Sequence, residues 1–193
     1  PESITPELFL AEYWQKKPLL IKQGLPQLAG MFEPEDILGL AIEEDASARL
    51  LTQAATKKSG QPQWQLKKSP LTETDFDNLP EQWTVLVQNL EQWSPELGQL
   101  WQAFDFIPQW QRDDIMVSYA PKGGSVGKHY DDYDVFLAQG YGQRRWQLGK
   151  FCDKDTAFVA DEPIRLFDDM GEIIFDEILE AGDVLYVPPK LSH

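Results

Sequence analysis

The sequence predicts a mainly β fold, a β-barrel or jelly roll with an N-terminal helical elaboration. Three observations carry that expectation. From residue 113 onward, short strand-like runs follow one another at Asp114–Tyr119, His129–Gln139, Arg144–Gly149, Ile164–Leu166 and Val184–Val187. Turns containing Gly, Pro and Asp separate them. The helix-start signals all lie before residue 100, and helices followed by many short strands point to this class. The expected division is therefore 1–112, a helical and strand elaboration, and 113–193, the barrel core.

In chain order, Thr5-Pro6-Glu7 reads as a helix start, with an N-cap, Pro in the first turn and an acid behind it. Leu8, Phe9, Tyr13 and Trp14 share one helical face. Lys17-Pro18 ends that helix, and Leu19-Leu20-Ile21 reads as a short strand. Glu33-Pro34-Glu35-Asp36 opens a second helix with Ile37, Leu38, Ala41 and Ile42 as its buried stripe. Ala48 to Gln53 and Trp64 to Lys68 read as strands around a turn at 58–62, and Trp83 to Leu90 as another strand. Ser94-Pro95-Glu96 starts a third helix carrying Leu97, Leu100, Trp101 and Phe104.

The chain has 193 residues, 42% hydrophobic and 12% aromatic with seven Trp, which is a globular composition. A net charge of −15 repels a phosphate backbone, so direct nucleic-acid binding is not expected. An acidic surface suits a basic protein or peptide partner, and it also serves plain solubility. Cys152 is the single cysteine and cannot form an internal disulfide. No run of about 18 apolar residues exists, and the N-terminus is unlike a signal peptide. No membrane association and a cytoplasmic location are expected. Pro1 without a Met, and His193 directly after a strand motif, read as cut ends. The barrel is therefore expected to be C-terminally truncated, with at least one strand beyond this chain.

The chemistry concentrates in Gly123-Gly124-Ser125-Val126-Gly127-Lys128-His129-Tyr130-Asp131. In a strand, residues two apart share a face, so His129 and Asp131 can offer donors to one ion. The second of the two histidines, His193, follows the strand-like run Gly182-Asp183-Val184-Leu185-Tyr186-Val187-Pro188-Pro189. Two His and one carboxylate form the facial triad of non-haem Fe(II) oxygenases and leave coordination positions open. The plainer alternative is a surface histidine beside a strand-end aspartate. Arg144 shares strand parity with Trp146 and Leu148, so it faces the interior if they do. A buried guanidinium needs a partner, either a bidentate carboxylate ligand or a structural acid. Arg145, on the other face, reads as a surface residue.

The Trp14 to Pro18 segment, the His-x-Asp after a Gly-rich loop, Gln143-Arg144-Arg145-Trp146-Gln147-Leu148-Gly149, and the run from Gly182 to His193 together resemble the JmjC-type 2-oxoglutarate oxygenases. Among these the resemblance is to the bacterial ribosomal oxygenases, the ycfD-type arginine hydroxylases. It implies a double-stranded β-helix (cupin/jelly-roll) barrel that binds Fe(II) through His129, Asp131 and His193 and uses 2-oxoglutarate and O2. It implies Arg144 as anchor for the distal carboxylate of 2-oxoglutarate, with Ser118 adding a hydroxyl or serving as a small core residue. It implies an arginine target on a basic large-subunit ribosomal protein. Asp114, in parity with Met116 and Ser118, and Tyr133, in parity with His129 and Asp131, are the expected substrate pocket; a strand-end turn for Asp114 and a core place for Tyr133 are the alternatives. The family also carries a dimerisation region and a winged-helix-like domain after the barrel, neither of them in this chain, so the resemblance allows a homodimer for the full-length protein but implies none for this fragment. Other classes remain open: a metal-binding cupin-like sensor without oxygenase activity, a small-molecule isomerase or dioxygenase, and a hydroxylase or demethylase acting on histidine, asparagine or lysine.

Overall fold

The computed structural model describes residues 4–56 and 62–193. The turn expected at 58–62 lies, apart from Pro62, outside the described residues. Among the described residues the α-helices are α1 Pro6–Glu12, α2 Pro34–Ala41 and α3 Pro95–Gly98. The strands are β1 Leu19–Ile21, β2 Ala48–Thr56, β3 Pro62–Lys68, β4 Trp83–Val87, β5 Val117–Tyr119, β6 Val135–Ala138, β7 Gln143–Leu148, β8 Phe175–Glu180 and β9 Val184–Val187. They fall into two compact units. One gathers Pro1–Glu33, Gly127–Asp161 and Arg165–His193; the other gathers Pro34–Val126 and Glu162–Ile164. This division differs from the expected split at residue 112. β1 pairs with β9 and carries the N-terminal helix into the first unit, while β5 pairs with β4 and stays in the second.

In the first unit the sheet order is β1-β9-β6, all antiparallel, with β7-β8 as a separate antiparallel pair. All four residues of β9 are buried, as an unbroken Val-Leu-Tyr-Val run on a central strand requires. Leu148, Leu179, Leu185, Val187 and Leu191 form the core, with Leu20, Leu137, Trp146 and Phe175 packed against it. Each fully buried Leu or Val contributes roughly 1.5–3 kcal/mol. α1 starts where the Thr5 hydroxyl accepts the Leu8 N–H. Its one buried residue, Phe9, meets Tyr186 edge-on at 4.8 Å between centroids. The second unit is the sheet β3-β2-β4-β5. Val85 and Val87 of β4 are fully buried there, and α2 packs along β4 and β5 with Ile37 and Ala41 inward.

Four expected strands differ; the first, Trp83 to Leu90, ends at Val87, and Leu90 opens a 3-10 turn. The run His129–Gln139 is a strand only over Val135–Ala138. The β6–β9 register sets Val135 opposite Val187, so the next partners of Asp134 and Tyr133 are Pro188 and Pro189, which have no N–H to donate. Asp114–Tyr119 shortens to Val117–Tyr119 because residues 114 and 115 spend their polar groups on the turn at 89–91: Asp114 Oδ2 accepts the Asn89 N–H and Glu91 Oε2 accepts the Ile115 N–H. Ile164–Leu166 forms no strand; Leu166 accepts one bond from the Val159 N–H. Conversely, β8 was not expected, because Asp176, Glu177 and Glu180 interrupt its apolar residues; it forms because Leu179 is fully buried opposite Arg144 while Asp176 pairs with Arg145.

Asp183 ties this unit together at the β8–β9 turn. Its carboxylate accepts the Glu180 N–H at 2.9 Å, the Gln23 N–H at 3.0 Å and the Lys22 ammonium at 2.9 Å. Burial pushes this carboxyl up, but the Glu180 N–H, Lys22 and the Gln23 N–H outweigh it and hold it at about 2. A carboxyl depressed in the folded state stabilises above its ordinary range and stops doing so as pH falls through its folded value. Urea titrations should therefore show stability lost between about pH 4 and pH 2 in the native protein, and an Asp183→Ala variant should lack that step. Asp183→Ala should also cost about 2–4 kcal/mol at neutral pH, because two backbone N–H groups lose their acceptor.

Candidate metal centre

The turn after β9 carries the chain past Pro188-Pro189 to His193, and both edges of this segment are paired. On one side the His129 and His193 backbones exchange two hydrogen bonds of 2.9 Å, and the Lys190 N–H reaches Asp131 O. On the other side Gly149 N–H donates to Ser192 O, Ser192 N–H to Lys150 O, and Cys152 N–H to Lys190 O. The His129–His193 pairing keeps the register of β6 and β9 across the proline gap. Gly149 fits because a Cβ there would drive into Met170 O and sit 2.8 Å from Ser192 Oγ.

These bonds bring His129, Asp131 and His193 together, with one ligand atom of each within 4.8 Å of the others. Asp131 Oδ2 is 3.9 Å from His129 Nε2 and 3.6 Å from His193 Nε2. Those separations exceed hydrogen-bond length. An ion with bonds of about 2.1 Å spans donors about 3–4 Å apart. The imidazoles are aimed by their other nitrogens. His129 Nδ1 lies 3.0 Å from Gly127 O and His193 Nδ1 2.9 Å from Leu191 O. A carbonyl only accepts, so each Nδ1 carries the proton and each Nε2 presents a lone pair toward the carboxylate. Burial, and next the neighbouring His129, push His193 down to about 4, so its imidazole is neutral at physiological pH. Two imidazoles and a carboxylate on one side of an open position suit a divalent transition metal such as Fe(II).

Arg144 and Trp146 project toward this centre from β7. Residues 144, 146 and 148 alternate inward as their parity requires, while Arg145 is exposed in a bidentate pair with Asp176. Trp146 is tilted against the His193 ring at 6.0 Å, and the Arg144 guanidinium lies 5.8 Å from the Trp146 centroid. Burial pushes the Arg144 pKa down, which marks a guanidinium largely removed from water. The parity of Trp146 with Arg144 was readable; its packing on His193 depends on the return of residues 190–193 and was not. Tyr133, two residues after Asp131, is 64% exposed and is not a core residue. Ser118, half-buried on β5, and Asp114, held at the 89–91 turn, belong to the other unit.

Residues 99–193 match the JmjC domain family. Over its whole length the chain is 64% identical to a probable ribosomal oxygenase of Haemophilus influenzae, and covers 46% of that protein. It is 37% identical over 186 residues to the ribosomal protein uL16 3-hydroxylase of Escherichia coli, covering 96% of this chain and 47% of the relative. The structure of YcfD, a ribosomal oxygenase from Escherichia coli in complex with cobalt and 2-oxoglutarate, superimposes with a TM-score of 0.81 at 34% identity, over 98% of this chain and 47% of that one. The chain thus spans just under half the length of these relatives, and it shares their mainly β, cupin-like fold. His129, Asp131 and His193 all lie inside residues 99–193, the stretch that matches the JmjC domain family, in a chain similar to ribosomal oxygenases.

Proposed function

We propose that this chain contains the catalytic part of a cytoplasmic Fe(II)- and 2-oxoglutarate-dependent hydroxylase that acts on an arginine side chain of a large-subunit ribosomal protein. The observation that carries the reading is the convergence of two Nε2 lone pairs and one carboxylate beside a half-buried arginine. The family match and the uL16 hydroxylase relative support the ribosomal target. When bound, iron with 2-oxoglutarate and O2 supplies the oxidising power to place oxygen on an unactivated C–H bond.

The protein's own residues do the rest. His129, Asp131 and His193 would hold the metal on one side and leave the other side for cosubstrate. Gly127 O and Leu191 O keep both imidazoles in the ligating tautomer. Arg144 would take the distal carboxylate of 2-oxoglutarate with its planar fork, and burial strengthens that pair by removing water. Trp146 walls the space between this anchor and His193. Ser118 would add a hydroxyl to the cosubstrate. Asp114 would accept from the target guanidinium and exposed Tyr133 would cover its methylenes. A carboxylate matches a guanidinium through two parallel bonds, which the point charge of lysine does not reproduce.

Three outcomes test this reading. His129→Ala should abolish Co(II) binding in calorimetry and succinate formation, with the thermal transition kept; a variant that retains both activities removes His129 from the ligand set. Arg144→Ala should raise the 2-oxoglutarate concentration for half-maximal turnover by roughly 30-fold or more, the equivalent of losing a charge pair of about 2 kcal/mol, while metal binding persists. Asp114→Asn keeps an acceptor for the Asn89 N–H and removes the charge. It should raise KM for an arginine-containing uL16 peptide, mass spectrometry should show the added oxygen on arginine, and an Arg→Lys peptide should be a poor substrate. Oxygen found on histidine instead would move the target to that residue.

A further inference from the structure

The first unit holds an open groove of about 660 Å³ outside the metal cluster. Phe151, Phe158 and Phe167 line it, and Asp153, Asp155, Asp168 and Asp169 stand around them. Phe151 is 54% exposed, a large apolar ring that the fold itself leaves uncovered. Phe158 stacks on Tyr130 at 5.8 Å and already carries the Arg165 guanidinium 5.4 Å from its centroid. An intramolecular cation thus occupies the kind of surface the groove presents. Asp169 is paired with Lys150, and Asp153 accepts the Asp155 N–H and the Thr156 hydroxyl. Among the described residues Asp155 and Asp168 make no side-chain ion pair.

The groove is built onto both ligand-bearing segments. Phe167 N–H donates to Lys128 O, one residue before His129. Phe151 bridges to Leu191, two residues before His193. The walls of the groove are therefore continuous with the segments that carry His129 and His193.

We propose that this groove docks an extended basic segment of the substrate polypeptide, flanking the side chain that is oxidised. The exposed Phe151 and Phe158 rings take the methylene stems of lysine and arginine, and Asp155 and Asp168 take their charged ends. Charge complementarity selects this occupant: Lys150 is already held by Asp169 and Lys128 reaches only the Asp168 backbone carbonyl, which leaves the Asp155 and Asp168 carboxylates for an incoming cation. The inference rests on the hydroxylase reading for its biological partner, but the docking is measured without turnover.

The test uses the full-length protein and a fluorescein-labelled peptide of alternating arginine and valine, followed by anisotropy, with a glutamate–valine peptide as control. The native protein should bind the basic peptide, more weakly as salt rises, and should ignore the acidic one. Asp155→Asn/Asp168→Asn should weaken binding about tenfold and Asp155→Lys/Asp168→Lys should weaken it further. Phe151→Ser, at an exposed ring, should weaken it by a salt-independent amount. Equal binding of the basic peptide by the native protein and the Asn and Lys variants, or equal binding of the two peptides by the native protein, overturns the proposal. Peptide binding with the expected variant effects, in a protein that consumes no 2-oxoglutarate with Fe(II), would overturn the hydroxylase reading and leave the docking groove standing.

Discussion

The backbone pairing of residues 190–193 is the constraint on which the centre depends. This short segment is not a regular strand, yet it is hydrogen-bonded to residues 129–131 on one edge and to 149–152 on the other. A ligand on a free loop would have to be ordered by the metal itself. Here His193 is held by bonds that belong to the main chain. The same bonds set Trp146 against its ring, and the Leu191 carbonyl within the segment chooses its tautomer. Preorganisation of this kind lowers the cost of binding, since little conformational freedom remains to be lost.

The two proline residues before that segment give the site its shape. A continuous β6–β9 ladder would hold residues 129–134 in a regular pleat and send successive side chains to opposite faces. Pro188 and Pro189 break the ladder after Val135, and the chain rejoins it at His129. Within the interruption, Asp131 points its carboxylate at both imidazoles while Tyr133 stands in solvent. Asp134, the last residue before β6, is anchored instead by the buried Tyr186 hydroxyl, which also accepts the Gln15 N–H. The irregular stretch is thus pinned at both ends.

Much of this was legible in the sequence. The mainly β class, α1 with its Thr5 cap, β1 and β9 follow from local signals, because cap chemistry, proline and unbroken apolar runs act over a few residues. The parity of Arg144 with Trp146 and Leu148 was readable for the same reason. The grouping of His129, Asp131 and His193 was expected from a strand that does not extend that far. The residues meet through a long-range register instead, and no local pattern states which residues face Pro188 and Pro189. β8 was hidden because Asp176 answers to Arg145 and Glu180 to Gln143 across the pair, not to their sequence neighbours. Asp114 reads as a strand residue by its neighbours, yet its carboxylate is engaged by a turn 25 positions earlier.

The discontinuity of the first unit bears on the order in which the molecule assembles during synthesis. Residues 34–126, apart from a three-residue addition at 162–164, form a unit from one uninterrupted stretch, and it can begin to condense as soon as that stretch leaves the ribosome. The unit that holds the ligands has no such freedom. β1 waits for β9, more than 160 residues later, and His129 waits for His193. Loop closure over such separations is slow relative to local pairing. The candidate metal centre therefore forms only after residue 193 has been made, later than the unit of residues 34–126 can begin to condense.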